Sequence, residues 1–193
     1  MKIAFLYFLI SSAFWGCVVG KSYYTTKPKK NATISTQLRI DGVYINLIDS
    51  VGEEKRYAAF FLYTNGVLLN YGFSVKKPIQ EISKTVLIDS ITAFISFAKA
   101  NYRGKMVGGG FEIKKTQFEM QFFSYIPYGS YKNFVEKGDI INDTTIYISS
   151  CKTKKGYGYD KCSYNNYYLN FLQMPKPDST NQWMKRKWYW NKK

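Results

Sequence analysis

Three thiols and no imidazole define the chemistry open to this chain. The cysteines are Cys17, Cys151 and Cys162, and histidine is absent from all 193 residues. Without imidazole there is no Ser–His–Asp or Cys–His nucleophile, no histidine-bound zinc and no histidine proton relay. Catalysis would fall to carboxylates, lysine, tyrosine or a thiol. A glycoside hydrolase needs two carboxyl groups about 5–10 Å apart. The best-spaced pair is Glu112 and Glu119, which flank Lys114-Lys115-Thr116. Glutamates so placed more commonly face solvent beside lysines. Asp41-Gly42 and the stretch from Asp139 to Asp143 lack the spaced ladder of an EF-hand, and read as turns. Gly108-Gly109-Gly110 lacks the Gly-Lys-Ser/Thr ending of a phosphate loop and reads as a strand edge or bend. The chain is therefore expected to be no enzyme and to hold no cofactor or metal.

Cys17 carries a different chemistry. MKIAFLYFLISSAFWGC has a basic start at Lys2, an apolar run from Ile3 to Ile10 and small residues before the cysteine. It reads as a secretory signal of residues 1–16. Gly16 supplies the small residue that a lipoprotein signal peptidase requires, making Cys17 the candidate acylated residue. Two alternatives stay open: cleavage after Gly20 by an ordinary signal peptidase, and an uncleaved apolar anchor reaching to Gly20. Acylation of Cys17 would leave Cys151 and Cys162 as a pair in an oxidising compartment. They bound CKTKKGYGYDKC, whose glycines suit a loop between antiparallel strands, so a disulfide is expected over free thiols. Two thiols without partners make only half a zinc site.

Residues 17–36 are polar and basic with Pro28 and no apolar periodicity, as in a lipidated tether. Its Lys21, Lys27, Lys29 and Lys30 would add a second membrane signal to an acyl chain. The far end, QWMKRKWYWNKK, interleaves Trp183, Trp188, Tyr189 and Trp190 with Lys185, Arg186 and Lys187. Indoles and cations together suit a membrane interface. Single-stranded nucleic acid would suit the same composition, but an exported protein seldom meets it. The plainer alternative is a frayed tail with one tryptophan packed on the domain. The formal charge of +15 favours anionic surfaces. AT-rich coding sequence, which enriches Lys, Asn, Ile and Tyr, explains it equally well.

The elements that would position these groups are mostly strands. Residues 37–175 read as one β-rich domain, with 176–193 as a basic aromatic tail. In TQLRIDGVYINLI the apolar parity changes at Asp41-Gly42, which predicts a bulged strand. Asn65-Gly66 lies between two apolar runs and predicts a hairpin closed by a type I′ turn. After Pro78 the spacing of Ile79, Ile82, Val86, Ala93 and Phe97 predicts a helix near residues 79–101, with Phe94 and Phe97 in the core. Alternation resumes in QFEMQF and TTIYI, as half-buried antiparallel strands require. The expected fold is mainly β (α+β). About eight antiparallel strands form a meander or lipocalin-like barrel, with one helix inserted after the third.

The motifs LRIDGVYI, FFLYTNGVLL, GDIINDTTIYI and MPKPDSTNQW, behind a cysteine-terminated leader, resemble an uncharacterised family of small flavobacterial-type lipoproteins. The likeness spans nearly all of the chain after the tether. It implies a β-rich domain tethered to a membrane and lends no activity and no functional residues. The expected function is a membrane-anchored, non-enzymatic binding or scaffolding domain of the cell envelope, on the periplasmic face of the outer membrane. Its partners would be membrane lipid through Cys17, an anionic envelope surface and a small apolar ligand. A carboxylate-dependent hydrolase of envelope glycans and a basic surface adhesin are the alternatives.

Overall fold

Side chains alternate along each strand, and here one parity points into a closed wall while the other faces a helix or solvent. The computed structural model describes residues 26–28, 37–76, 83–101, 108–126, 130–155, 158–162, 166–180, 184–185 and 189. The strands are β1 (Gly42–Val51), β2 (Glu54–Leu62), β3 (Val67–Lys76), β4 (Gly108–Lys114), β5 (Gln117–Ile126), β6 (Ser130–Asn142), β7 (Thr145–Lys155), β8 (Gly158–Lys161) and β9 (Tyr167–Gln173). The helix α1 (Lys84–Asn101) lies between β3 and β4.

The wall runs β6-β5-β4-β3-β2-β1-β9-β7, and β7 pairs back with β6. Eight antiparallel strands thus close into a barrel, which leaves that ring without an edge. β8 stands outside the ring. It pairs with the far end of β7, at Lys152–Lys155, after β9 has paired with its near end, at Thr145–Ile148.

The barrel interior is filled by Tyr44, Phe60, Leu62, Leu68, Phe111, Phe118, Met120, Phe122, Ile146, Ile148 and Leu169. One end is plugged. Leu38 and Ile40 pack into that core, and the Tyr44 hydroxyl reaches the carbonyls of Arg39 and Asp143 at 3.0 and 2.9 Å. Burial pushes the Tyr44 phenol well above its ordinary pKa. Arg39 lies over the Phe171 ring at 4.5 Å and so covers the plug.

The opposite parity of β2 and β3, at Ala59, Phe61, Leu69, Tyr71 and Phe73, faces outward and meets Ile91 and Ile95 of α1. Both faces of these two strands are therefore covered, which is why their sequences are apolar at nearly every position. The helix differs from the expected one. Ser83 accepts from the Val86 amide at 3.3 Å and caps the first turn. Ile91 and Ile95, one turn apart, face the barrel, while Phe97 is 53% exposed rather than in the core. Residues 77–82, which include Pro78, lie outside the described residues.

Three turns depart from expectation in instructive ways. Gly42 opens β1 without a bulge; it is glycine because a Cβ there would lie 2.3 Å from the Leu172 carbonyl oxygen. The irregularity comes later, between Leu47 and Asp49. At Asn65-Gly66 only the glycine has positive φ, at 79°. The turn is thus a three-residue loop, held by Tyr63 and Val67 (2.9 Å), and not the two-residue type I′. The triplet Gly108-Gly109-Gly110 lies within the wall, paired with β3 on one side and β5 on the other. It is not an edge.

Candidate functional site

At the end opposite the plug the barrel holds a cavity of about 510 Å³. Its size falls within the range of small-molecule sites, roughly 300–1,000 Å³. β2 contributes Ala58 and Phe60, β3 Asn70 and Gly72, β5 Phe122, and β6 Phe134 and Glu136. Asn46, Leu47 and Ile48 of β1 and Asn166 and Tyr167 before and in β9 form the opposite lip. These positions follow from register: Phe60 stands opposite Asn70, and Met120 opposite Glu136, so each pair shares the inner face.

Two features open the space. Gly72 removes a side chain where a Cβ would meet only the Tyr57 carbonyl, at 3.9 Å. The irregularity after Leu47 turns β1 outward, leaving Leu47 47% and Ile48 54% exposed at the lip. Above Ile45, β1 no longer pairs with β9.

The wall of the cavity is aromatic. Phe60 meets Phe122 edge-on at 5.3 Å, and Phe122 stacks on Phe134 at 5.4 Å. Set in this wall is a carboxylate, Glu136, only 1% exposed. The Tyr167 hydroxyl donates to it. Asn70 Oδ1 is buried with no hydrogen-bond partner among the described residues, and so is Thr153 Oγ1 on the same inner parity, opposite Phe134. A buried acceptor left unpaired is costly, so Asn70 Oδ1 is a group to which a water or ligand donor would add stability. Beyond the lip, Arg56 lies between Asp49 (3.6 Å) and Glu54 (3.7 Å), and all three are at least partly exposed.

The disulfide expected from the sequence is present: Cys151 and Cys162 are joined, with Cα atoms 5.3 Å apart. The bond ties β8 to β7, and the Cys162 amide donates to the Cys151 carbonyl at 3.1 Å. Cys151 stands opposite Glu136, on the inner face near the cavity.

Glu112 and Glu119 are register partners across β4 and β5. They lie on the outer face with lysines, Lys114 on Glu112 at 2.9 Å and Lys137 on Glu119 at 2.5 Å. Burial works to raise the Glu119 pKa, but the hydrogen bonds from Lys137 and Thr26 outweigh it and leave it below the ordinary value. Thr26 belongs to the segment read as a tether. It is buried, its amide donates to Gln121 Oε1 at 3.0 Å and its hydroxyl to Glu119 at 2.8 Å.

Cys17, Trp183, Arg186, Lys187, Trp188 and Trp190 lie outside the described residues. Lys185 is exposed in a turn. Tyr189 is fully buried against Val67 and Phe123, and Lys176 lies over the Tyr63 ring at 4.4 Å. Among the described residues no group of three or more His, Cys, Asp or Glu could hold a metal. No helix among them is long and apolar enough to cross a membrane. No family model matches the chain, and neither a curated protein nor a solved structure does.

The sequence reading expected a small apolar ligand in a barrel but named none of the residues that line the cavity. A signal was present: Phe134, Glu136, Gly138 and Ile140 share one parity on β6, and a glutamate in that apolar file marks a polar group turned inward.

Proposed function

We propose that this protein is a lipid-anchored, non-enzymatic binding domain of the cell envelope whose barrel holds a small, largely apolar ligand. The observation that carries the reading is the 510 Å³ cavity walled by Phe60, Phe122 and Phe134. Transfer of apolar ligand surface from water to such a wall stabilises a complex by roughly 25 cal/mol per Å² before the costs of association. A hydrolase would need two converging carboxylates. Among the described residues the lining offers one, Glu136, and Glu112 and Glu119 point away from it.

Anchoring rests on the leader ending at Cys17, on the basic residues that follow it and on the resemblance to small lipoproteins. An oxidised Cys151–Cys162 pair agrees with an exported chain.

Fluorescence titration with the apolar dye N-phenyl-1-naphthylamine tests the cavity. Saturable enhancement is expected for the wild type. Gly72→Phe, which places a ring in the space that glycine leaves open, should abolish it while the far-ultraviolet dichroism is unchanged. Equal enhancement in a folded Gly72→Phe would remove the reading. For the anchor, metabolic labelling with a fatty-acid analogue should mark the wild type and not Cys17→Ser.

A further inference from the structure

Two segments from opposite ends of the chain meet on one side of the barrel. Thr26 is buried on the outer face of β5, where its amide donates to Gln121 Oε1 at 3.0 Å and its hydroxyl to Glu119 at 2.8 Å. Tyr189 packs two residues further along β5, against Phe123 and Val67, and donates to the Gly109 carbonyl. We propose that the outer wall centred on β6, with β5 on one side and β7 and β8 on the other, is the surface that lies against an anionic lipid bilayer. This rests on the anchored reading above and adds which face of the barrel the anchor presents.

The chain ends set the distance. Cys17 is nine residues before Thr26, and that length fully extended spans at most about 30 Å. The hydrogen bonds of Thr26 thus shorten the tether from residues 17–36 to residues 17–26, and start it from one wall of the barrel. An acyl chain at Cys17 would hold β5 within that reach of the headgroups. Lys27 follows Thr26 directly, and Met184, packed beside Tyr189, is followed by the exposed Lys185.

Register brings further cations to the same wall. Gln121 stands opposite Val135, Val135 opposite Lys152, and Lys152 opposite Lys161, so the four form one row across the outer face of β5, β6, β7 and β8. At about 4.8 Å per strand, Lys152 lies about 10 Å and Lys161 about 15 Å from Gln121, the partner of Thr26. Both lysines are exposed. Each is next in sequence to one half of the Cys151–Cys162 bond, which keeps them side by side. Like charges so placed repel one another, whereas an anionic surface within a Debye length of about 10 Å attracts both. Glu112 and Glu119, on the same side toward the β4–β5 turn, are held by Lys114 and Lys137. Across the ring, β2 and β3 are covered by α1, which places the exposed Lys84 on the far side.

Acetylation of the full chain by a membrane-impermeant N-hydroxysulfosuccinimide ester, read residue by residue by mass spectrometry, tests the face. On vesicles of phosphatidylcholine with phosphatidylglycerol, Lys152, Lys161 and Lys185 are expected to react several-fold more slowly than in solution. Lys76 of β3 and Lys84 should keep their rates. In a Cys17→Ser background, which removes the acyl chain, Lys152→Gln with Lys161→Gln should weaken binding to these vesicles about ten-fold, as the loss of two lysines at an anionic surface implies. Lys76→Gln with Lys84→Gln should leave that binding unchanged. Equal slowing of all these lysines, or equal binding by the two double variants, would overturn the inference. So would slowing by dissolved polyphosphate without slowing by vesicles, which would assign the face to a soluble polyanion. A wild type found without an acyl group defeats the anchor reading alone, because the Cys17→Ser comparison tests the face in its absence.

Discussion

The Tyr189 hydroxyl donates to the Gly109 carbonyl at 2.5 Å and so joins the last part of the chain to the start of β4. The ring is fully buried between Val67 and Phe123. Tyr189→Phe keeps the ring and removes only this hydrogen bond, while Gly109 stays paired in the wall, which should cost about 1 kcal/mol. Tyr189→Ala removes the ring as well and should cost about 3–5 kcal/mol. Urea denaturation measures both; a loss below about 1 kcal/mol for Tyr189→Ala would show that this residue does not hold the fold together.

Gly109 and Gly72 predict opposite outcomes for the same change. A Cβ at Gly109 would lie 1.9 Å from the Gln121 carbonyl oxygen and 2.6 Å from the Phe122 Cα, both backbone atoms that cannot swing aside. Gly109→Ala should therefore lower stability by more than about 3 kcal/mol. Gly72→Ala meets nothing closer than 3.9 Å and should fall within about 1 kcal/mol of wild type, through the reduced entropy of the unfolded chain. Thermal melts of the two variants side by side provide the comparison.

The disulfide holds a hairpin that its charges oppose. Lys152 stands directly opposite Lys161 in the β7–β8 register, and like charges so placed are destabilising. Reduction, or Cys151→Ser with Cys162→Ser, should cost about 2–3 kcal/mol. Hydrogen exchange should show protection lost at Gly158–Lys161 before the rest of the barrel. Equal protection with and without reductant would mean that the strand stands without its bond.

Acid should act through Glu119. Burial raises its pKa, but hydrogen bonds from Lys137 and Thr26 bring the net value below the ordinary 4.5. A carboxyl with a depressed folded pKa contributes stability that is present above its unfolded pKa and is lost as pH falls through the folded one. Stability should therefore decline below about pH 4.5, and Glu119→Gln should flatten that decline while lowering stability at pH 7. An unchanged acid limb in Glu119→Gln would assign the decline to other carboxyls.

The strands were legible wherever one face is wet. Gln117-Phe118-Glu119-Met120-Gln121-Phe122 alternates because Phe118, Met120 and Phe122 point inward while Gln117 and Glu119 look out. β3 was legible as a strand, but not its interior face, since Leu69, Tyr71 and Phe73 under α1 are as apolar as the barrel side. Thus Asn70 and Gly72 carried no mark of the cavity they line. The helix was found, yet its buried face was misassigned at Phe97, because β-branched and aromatic residues surround all sides of α1. Cysteine spacing foretold the disulfide, because a short loop brings its two ends together whatever the barrel does.

Closure of the ring has a consequence for how the chain assembles. β1 through β7 pair with sequence neighbours, so each hairpin forms locally. The ring closes only when Asn170–Gln173 meets Gly42–Ile45, from opposite ends of the domain. Loop entropy makes such distant contacts the late and slow ones. A ribosome or translocation pore must therefore release β9 before the first strand finds its second neighbour. Until then β1 waits as an open edge, the moment at which this polypeptide is most exposed to misassembly with its own copies.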